Sequence, residues 1–169
     1  MAPVPEAHTD RSNIDIAVSG GDFDSFYWAV RERTHSLLNF SNCLNVLKTA
    51  DWELAGENVI YRTGVIGQFN QTFELAWKAL QEILKIHGAE AAETGSPREI
   101  LQLGYQLGFV EDSAVWLTML KKRNISVHIY NEDEIDEMIL LIRDSFIPAF
   151  TVLEKTLEKK LGDAEDEWK

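Results

Sequence analysis

Apolar residues recur along this chain at steps of three and four, and strand-like alternation survives for no more than a few residues. From Phe26 they fall at Val30, Leu37, Phe40, Leu44 and Leu47. That spacing predicts an amphipathic helix running to about Thr49, with Asp22 or Asp24 placed to cap its start. Asp51 to Glu57, with Gly56, reads as a turn. The clearest stripe follows: Val59, Arg62, Ile66, Phe69, Phe73, Ala76, Leu80, Ile83 and Ile86, widened by Trp77 and Leu84. His87-Gly88 ends it, because Gly takes the left-handed cap conformation at little cost. A polar, Ala-rich loop then runs to Gly95.

Ser96-Pro97-Arg98-Glu99 is a helix start written in three residue types. Ser caps, Pro occupies the first turn, and Glu reaches back from the third position. This short helix stops at Gly108. Asp112 starts the next, which carries Val115, Trp116, Met119 and Leu120 towards Arg123. Asn131 and Glu134 form a second cap-and-box pair ahead of the stripe Ile135, Met138, Ile139, Ile142, Phe146, Phe150, Leu153 and Leu157. Pro148 removes a donor inside that stripe and predicts a kink near Phe146-Ile147. The fold class expected is all-α: an antiparallel up-and-down bundle of four main helices plus one short helix, the last kinked near Pro148. Residues 22–161 form the bundle, 1–21 a flexible leader with two prolines and a Ser-Gly-Gly stop, and 162–169 an acidic tail.

Charge changes the picture. Sixteen basic residues against 28 acidic ones leave a net charge of −12. Broad, sequence-independent binding to nucleic acid needs a basic face, so any contact with RNA must be local. Lys121-Lys122-Arg123 is the candidate run, and the same two lysines also read as a solvated helix end. The single cysteine, Cys43, sits among apolar helical positions and reads as a buried thiol. With no disulfide available within the chain, a reducing, cytoplasmic setting is expected. The first residues carry acids and no apolar signal core, and no run approaches the roughly 18 apolar residues of a membrane span.

The chemistry concentrates in Arg123-Asn124-Ile125-Ser126-Val127-His128-Ile129-Tyr130. Arg offers a permanent charge and a planar fork of donors suited to phosphate. His, with an ordinary pKa of roughly 6.5, gives and takes protons near neutrality. Together they suit metal-free RNA cleavage, in which the RNA's own 2′-hydroxyl attacks, His128 moves protons and Arg123 holds the charge growing on phosphorus. Asn124 is placed to orient His128 or the phosphate. On an unbroken helix Arg123 and His128 would point about 140° apart, so a break or a second copy of the chain is needed to bring them together. A plainer reading stands beside this one. Arg123 neutralises a helix C-terminus, His128 bonds to backbone, and Tyr130 packs in the core with its hydroxyl at the surface.

Other chemistries fit poorly. His8, His35, His87 and His128 lack metal-ligand spacing, so no metal and no cofactor is expected. The acids from Glu132 to Glu137 mark a charged helix start, and Glu74 and Lys78 are spaced to pair with each other, with lining a pocket beside the apolar stripe as the lesser reading for Glu74. There is no Gly-rich phosphate loop and no Ser elbow.

Arg62-Thr63-Gly64-Val65-Ile66, Thr72-Phe73-Glu74-Leu75-Ala76-Trp77-Lys78, Ser96-Pro97-Arg98-Glu99, Trp116-Leu117-x-Met119-Leu120, Arg123-Asn124, His128, Tyr130 and Pro148-Ala149 occur in the order found in one family. Over residues 22–161 the chain resembles the nucleotidyltransferase substrate-binding proteins of the HEPN superfamily. The resemblance implies an all-helical homodimer bound by a minimal nucleotidyltransferase. In the HepT-like toxins of this group Arg-x4-His forms a composite, metal-independent RNase site across the dimer, and the partner, acting as antitoxin, silences it by adding AMP to Tyr. Carried over, Arg123 and His128 are catalytic, Asn124 supports them and Tyr130 is the modified residue; the local basic run separately makes Lys121 and Lys122 the expected RNA contacts. The alternative is a non-catalytic subunit that presents a substrate to the nucleotidyltransferase. Gln68, Asn70 and Gln71 stand where members often carry Arg, Glu and Phe, which bears on ligand or partner choice if those positions line a pocket or a partner surface.

Overall fold

A computed structural model describes residues 23–126 and 131–167; the side chains of residues 23–27, 29, 32–34 and 124–126 lie outside the described set. The expected leader, the cap Asp22, and the side chains of Asp24 and Phe26 therefore fall outside it too. Seven α-helices make up the described residues: α1 Phe23–Lys48, α2 Trp52–Glu57, α3 Val59–Ile86, α4 Pro97–Gln106, α5 Ser113–Ser126, α6 Glu132–Leu141 and α7 Ile147–Glu167. A 3-10 turn at Glu90–Ala92 precedes α4, and a π turn at Ile142–Phe146 joins α6 to α7. The described residues form an all-α bundle.

Local chemistry explains the ends. Asp51 accepts a hydrogen bond from the Leu54 amide at 3.0 Å, and Ala55 is fully buried, so the expected turn winds instead into α2. Asn58 caps α3 through the Tyr61 amide, and the Tyr61 hydroxyl accepts from the Asp51 amide at 2.8 Å, closing the corner. Gly88 lies just past the end of α3 and Gly108 just past the end of α4, with φ of 75° and 77°. Each closes the paired bonds of a Schellman motif, in which the Ala89 amide donates to the Leu84 carbonyl and the Phe109 amide to the Gly104 carbonyl as the wider-spanning bond of each pair. Ser96 and Glu99 form the full reciprocal box ahead of α4, and Asn131 caps α6 through the Asp133 amide. The kink expected near Phe146-Ile147 takes the form of the π turn. Pro148 withholds the donor that the Asp144 carbonyl would receive in an unbroken helix. α7 runs on to Glu167 with Ala164 buried, past the point where an acidic tail was expected.

α3 is the axis of the bundle and touches α1, α2, α4, α5, α6 and α7. Cys43 meets Gln68 and Thr72 while Asp51 meets Tyr61, so α1 runs opposite to α3. Arg62 meets Asp136, Phe69 stacks on Phe146 at 5.1 Å, and His87 bonds the Lys160 carbonyl, so α3 and the α6–α7 pair run the same way. This is the relation of second to fourth helix in an up-and-down bundle. Phe40, Phe69, Phe73, Trp116, Phe146 and Phe150 make one buried aromatic cluster, which fixes α5 across the middle of α3.

Candidate anion site at the end of α5

The apolar face of α5 carries Trp116, which lies edge-on to Phe150 at 5.4 Å and tilted against Phe73 at 6.3 Å. With that face anchored, the last turn of α5 projects past α3 at the level of Glu74. Arg123 lies on that turn and forms an ion pair with Oε1 of Glu74. The pair is reachable from solvent: the Arg123 side chain is 35% exposed and that of Glu74 28%. Oε1 itself is fully buried, set against the guanidinium as a charge pair rather than in hydrogen-bond alignment. Oε2 accepts from the Trp77 indole N–H at 3.2 Å, and the Lys78 ammonium stands over the Trp77 ring at 5.8 Å. Glu74 thus pairs with Arg123 rather than with Lys78, contrary to the helical spacing. Burial of Oε1 on the inner edge of α3 favours the guanidinium, whose fork reaches it from the facing helix.

Lys122 donates to Glu137 at 2.9 Å, and Arg62 donates to Asp136 at 2.7 Å. The start of α6 is therefore tied by neighbouring carboxylates to the end of α5 on one side and to the start of α3 on the other. Arg62, expected as a member of an apolar stripe, is nearly buried with its Nε unpaired among the described residues. Lys121 is exposed. His128 and Tyr130 lie outside the described residues, as does the side chain of Asn124; α5 is described to Ser126 and α6 begins after its cap, Asn131. The structure thus brings Arg123, Lys122, Glu74 and Glu137 to one junction, the one whose intervening sequence contains His128 and Tyr130.

Sequence reasoning missed Arg62 and Asp136 as members of this junction; it gave Glu74 a pocket-lining role as the lesser reading but did not foresee Arg123 as its partner. The available signal was an ionisable residue in or beside an apolar stripe, which needs a partner if buried. Gln68 is a packing residue: its amide donates to the Cys43 carbonyl at 3.0 Å and contacts the buried thiol, which Thr72 also approaches at 3.4 Å. A separate groove of about 220 Å³, lined by Asp112, Trp116, Pro148 and Val152 among others, opens at the far end of α5. No helix among the described residues is long and apolar enough to cross a membrane.

Comparison with known proteins adds the family. The family described as "Nucleotidyltransferase substrate binding protein like" matches residues 34–159. A crystal structure of a protein from Thermus thermophilus is 27% identical, with a TM-score of 0.53, and the match covers 72% of this chain and 98% of that one. HI0074 from Haemophilus influenzae, described as revealing the fold of a substrate binding domain of a nucleotidyltransferase, is 18% identical with a TM-score of 0.52. That match covers 81% of this chain and 99% of HI0074, and at this identity it speaks to the fold. No curated protein matches the chain.

Proposed function

We propose a function on one premise: the chain belongs to the nucleotidyltransferase substrate binding protein like family, matched over residues 34–159. The reading is an HEPN-type toxin, a metal-independent RNase bound and silenced by a minimal nucleotidyltransferase. Two copies of the chain contribute Arg123 and His128 to one cleft. A His128 imidazole takes the proton of the RNA 2′-hydroxyl as its oxygen bonds to phosphorus. The bond from phosphorus to the 5′-oxygen breaks, and a protonated His128 supplies the proton to that leaving oxygen. The products are a 2′,3′-cyclic phosphate and a 5′-hydroxyl. Arg123 stabilises the charge on the phosphoryl oxygens, Asn124 orients the imidazole, and Lys121 and Lys122 lead the strand in.

The single observation that supports this most is the placement of Arg123. It sits on the last turn of α5, partly exposed, and pinned by Glu74 five residues ahead of His128. A cation held still at a surface costs less reorganisation when an anion arrives. The partner would silence the site by transferring AMP from ATP to the Tyr130 phenol with release of pyrophosphate. The added phosphate brings bulk and negative charge beside the cleft.

The second reading is a non-catalytic subunit that binds the nucleotidyltransferase and presents a substrate to it. The net charge of −12 and the capture of Lys122 by Glu137 favour it, since both weaken attraction for RNA. Cleavage of RNA by the purified chain in EDTA separates the two: the toxin cuts and the binding subunit does not. Mass spectrometry after mixing with the partner and ATP is expected to show one added AMP on Tyr130. Its absence, or its presence on another residue, removes the silencing scheme.

A further inference from the structure

We propose that Glu74 is a positioning residue that competes with phosphate for Arg123, so that it weakens anion binding while it raises turnover. The inference rests on the anion-binding role proposed for Arg123. Its ground is a three-layer arrangement reaching from the core to the surface. The Trp77 indole N–H holds Oε2 of Glu74 at 3.2 Å. Oε1 of the same carboxylate is fully buried and pairs with the Arg123 guanidinium, which is 35% exposed. Trp77 is in turn half-buried and packed against the hydrophobic core, with Lys78 over its ring.

Two consequences follow with opposite signs. A carboxylate a few ångströms from the arriving phosphate repels it, because like charges at that range interact appreciably even beside water. The same carboxylate, itself fixed by an indole, holds the guanidinium in one rotamer, and a displacement of about 1 Å at such a group costs up to about a hundredfold in rate. A residue with only a structural role would lower binding and turnover together as the fold weakens. Glu74 is expected to split them.

The test uses the full chain and three variants, Glu74→Gln, Glu74→Asp and Trp77→Phe, with thermal melts to confirm folding. In steady-state RNA cleavage in EDTA, Glu74→Gln is expected to lower KM about three- to tenfold and kcat about ten- to a hundredfold. Glu74→Asp keeps the charge but shortens the reach; it should lower kcat without lowering KM. Trp77→Phe keeps the ring and removes the donor, so it should lower kcat by a smaller factor than Glu74→Gln. A raised KM in Glu74→Gln, or an unchanged kcat, overturns the inference.

AMP binding, followed by calorimetry, is the readout that stands apart from catalysis. Glu74→Gln should bind AMP about three- to tenfold more tightly than the wild-type chain, and Arg123→Ala should bind it more weakly. If the wild-type chain cleaves no RNA, the nuclease reading fails together with the effect of Glu74 on turnover, and the AMP titration still decides whether Glu74 competes with phosphate for Arg123. Equal or weaker AMP binding by Glu74→Gln, or unchanged binding by Arg123→Ala, overturns it.

Discussion

Arg123 and Glu74 each lack a solution alone. A carboxylate oxygen with no exposed surface is costly unless a cation or donor meets it, and Glu74 Oε1 meets Arg123. Arg123→Ala should therefore destabilise the fold by about 1–2 kcal/mol, because it strands that oxygen. The double variant Arg123→Ala/Glu74→Gln should recover part of the loss, since the amide carries no charge to strand. Urea unfolding of the four proteins measures this coupling; strict additivity would mean that the pair is not coupled. Sequence spacing pointed Glu74 at Lys78, four residues on, because helical periodicity shows only partners on the same helix. Arg123 lies far along the chain from Glu74, on another helix, and only the crossing of α5 over α3 brings it near. Arg123 was legible as a candidate from its motif; the group that holds it was not.

The elements were most legible where a cap is written in residue types. Ser96-Pro97-Arg98-Glu99 predicts the start of α4, and both halves of its box are formed. Those bonds hold the Glu99 carboxyl below its ordinary value of 4.5, the Ser96 backbone amide first and the Ser96 hydroxyl second. A carboxyl whose folded pKa is depressed adds stability above the unfolded value and loses it as pH falls through the folded one. The contribution of this cap should thus be complete above about pH 5 and fade below 4.5. Glu99→Gln is expected to make urea stability less dependent on pH between about 5 and 3; an unchanged slope would contradict this. α2 was not legible, because six residues hold too little periodicity to separate a short helix from a turn, and its buried anchor Ala55 is unremarkable in sequence. Nor could Pro148 alone specify a π turn rather than a simple break. Gly104 marks where α4 approaches α3. A Cβ there would lie 2.9 Å from Leu80 Cδ2 and 3.1 Å from Val110 Cγ2, and both residues are buried. Gly104→Ala gains about 1 kcal/mol of helix propensity. The crowding costs about 1–3 kcal/mol, so a net loss of about 1 kcal/mol is expected. A stabilised variant would show that Leu80 yields freely.

For the whole molecule, periodicity carried the fold class, since long stripes at helical spacing leave few ways to bury themselves other than against one another. The site was half legible for a different reason. Residue types such as Arg, His and Tyr name a chemistry, but the electrostatic frame around them is tertiary. Asp136 and Glu137 read as members of a charged helix start, yet they clamp Arg62 and Lys122 from two other helices. The same acids contribute to a net charge of −12, so the proposed RNA cleavage would rest on a few cations placed well. The direct measurement is the rate of RNA cleavage by the purified chain in EDTA, compared with His128→Ala and Arg123→Ala of confirmed fold. The wild-type chain should cut and leave 2′,3′-cyclic phosphate ends, and each variant should lose at least about a hundredfold in rate. No cleavage by the wild-type chain, or cleavage by His128→Ala at the wild-type rate, would contradict the account.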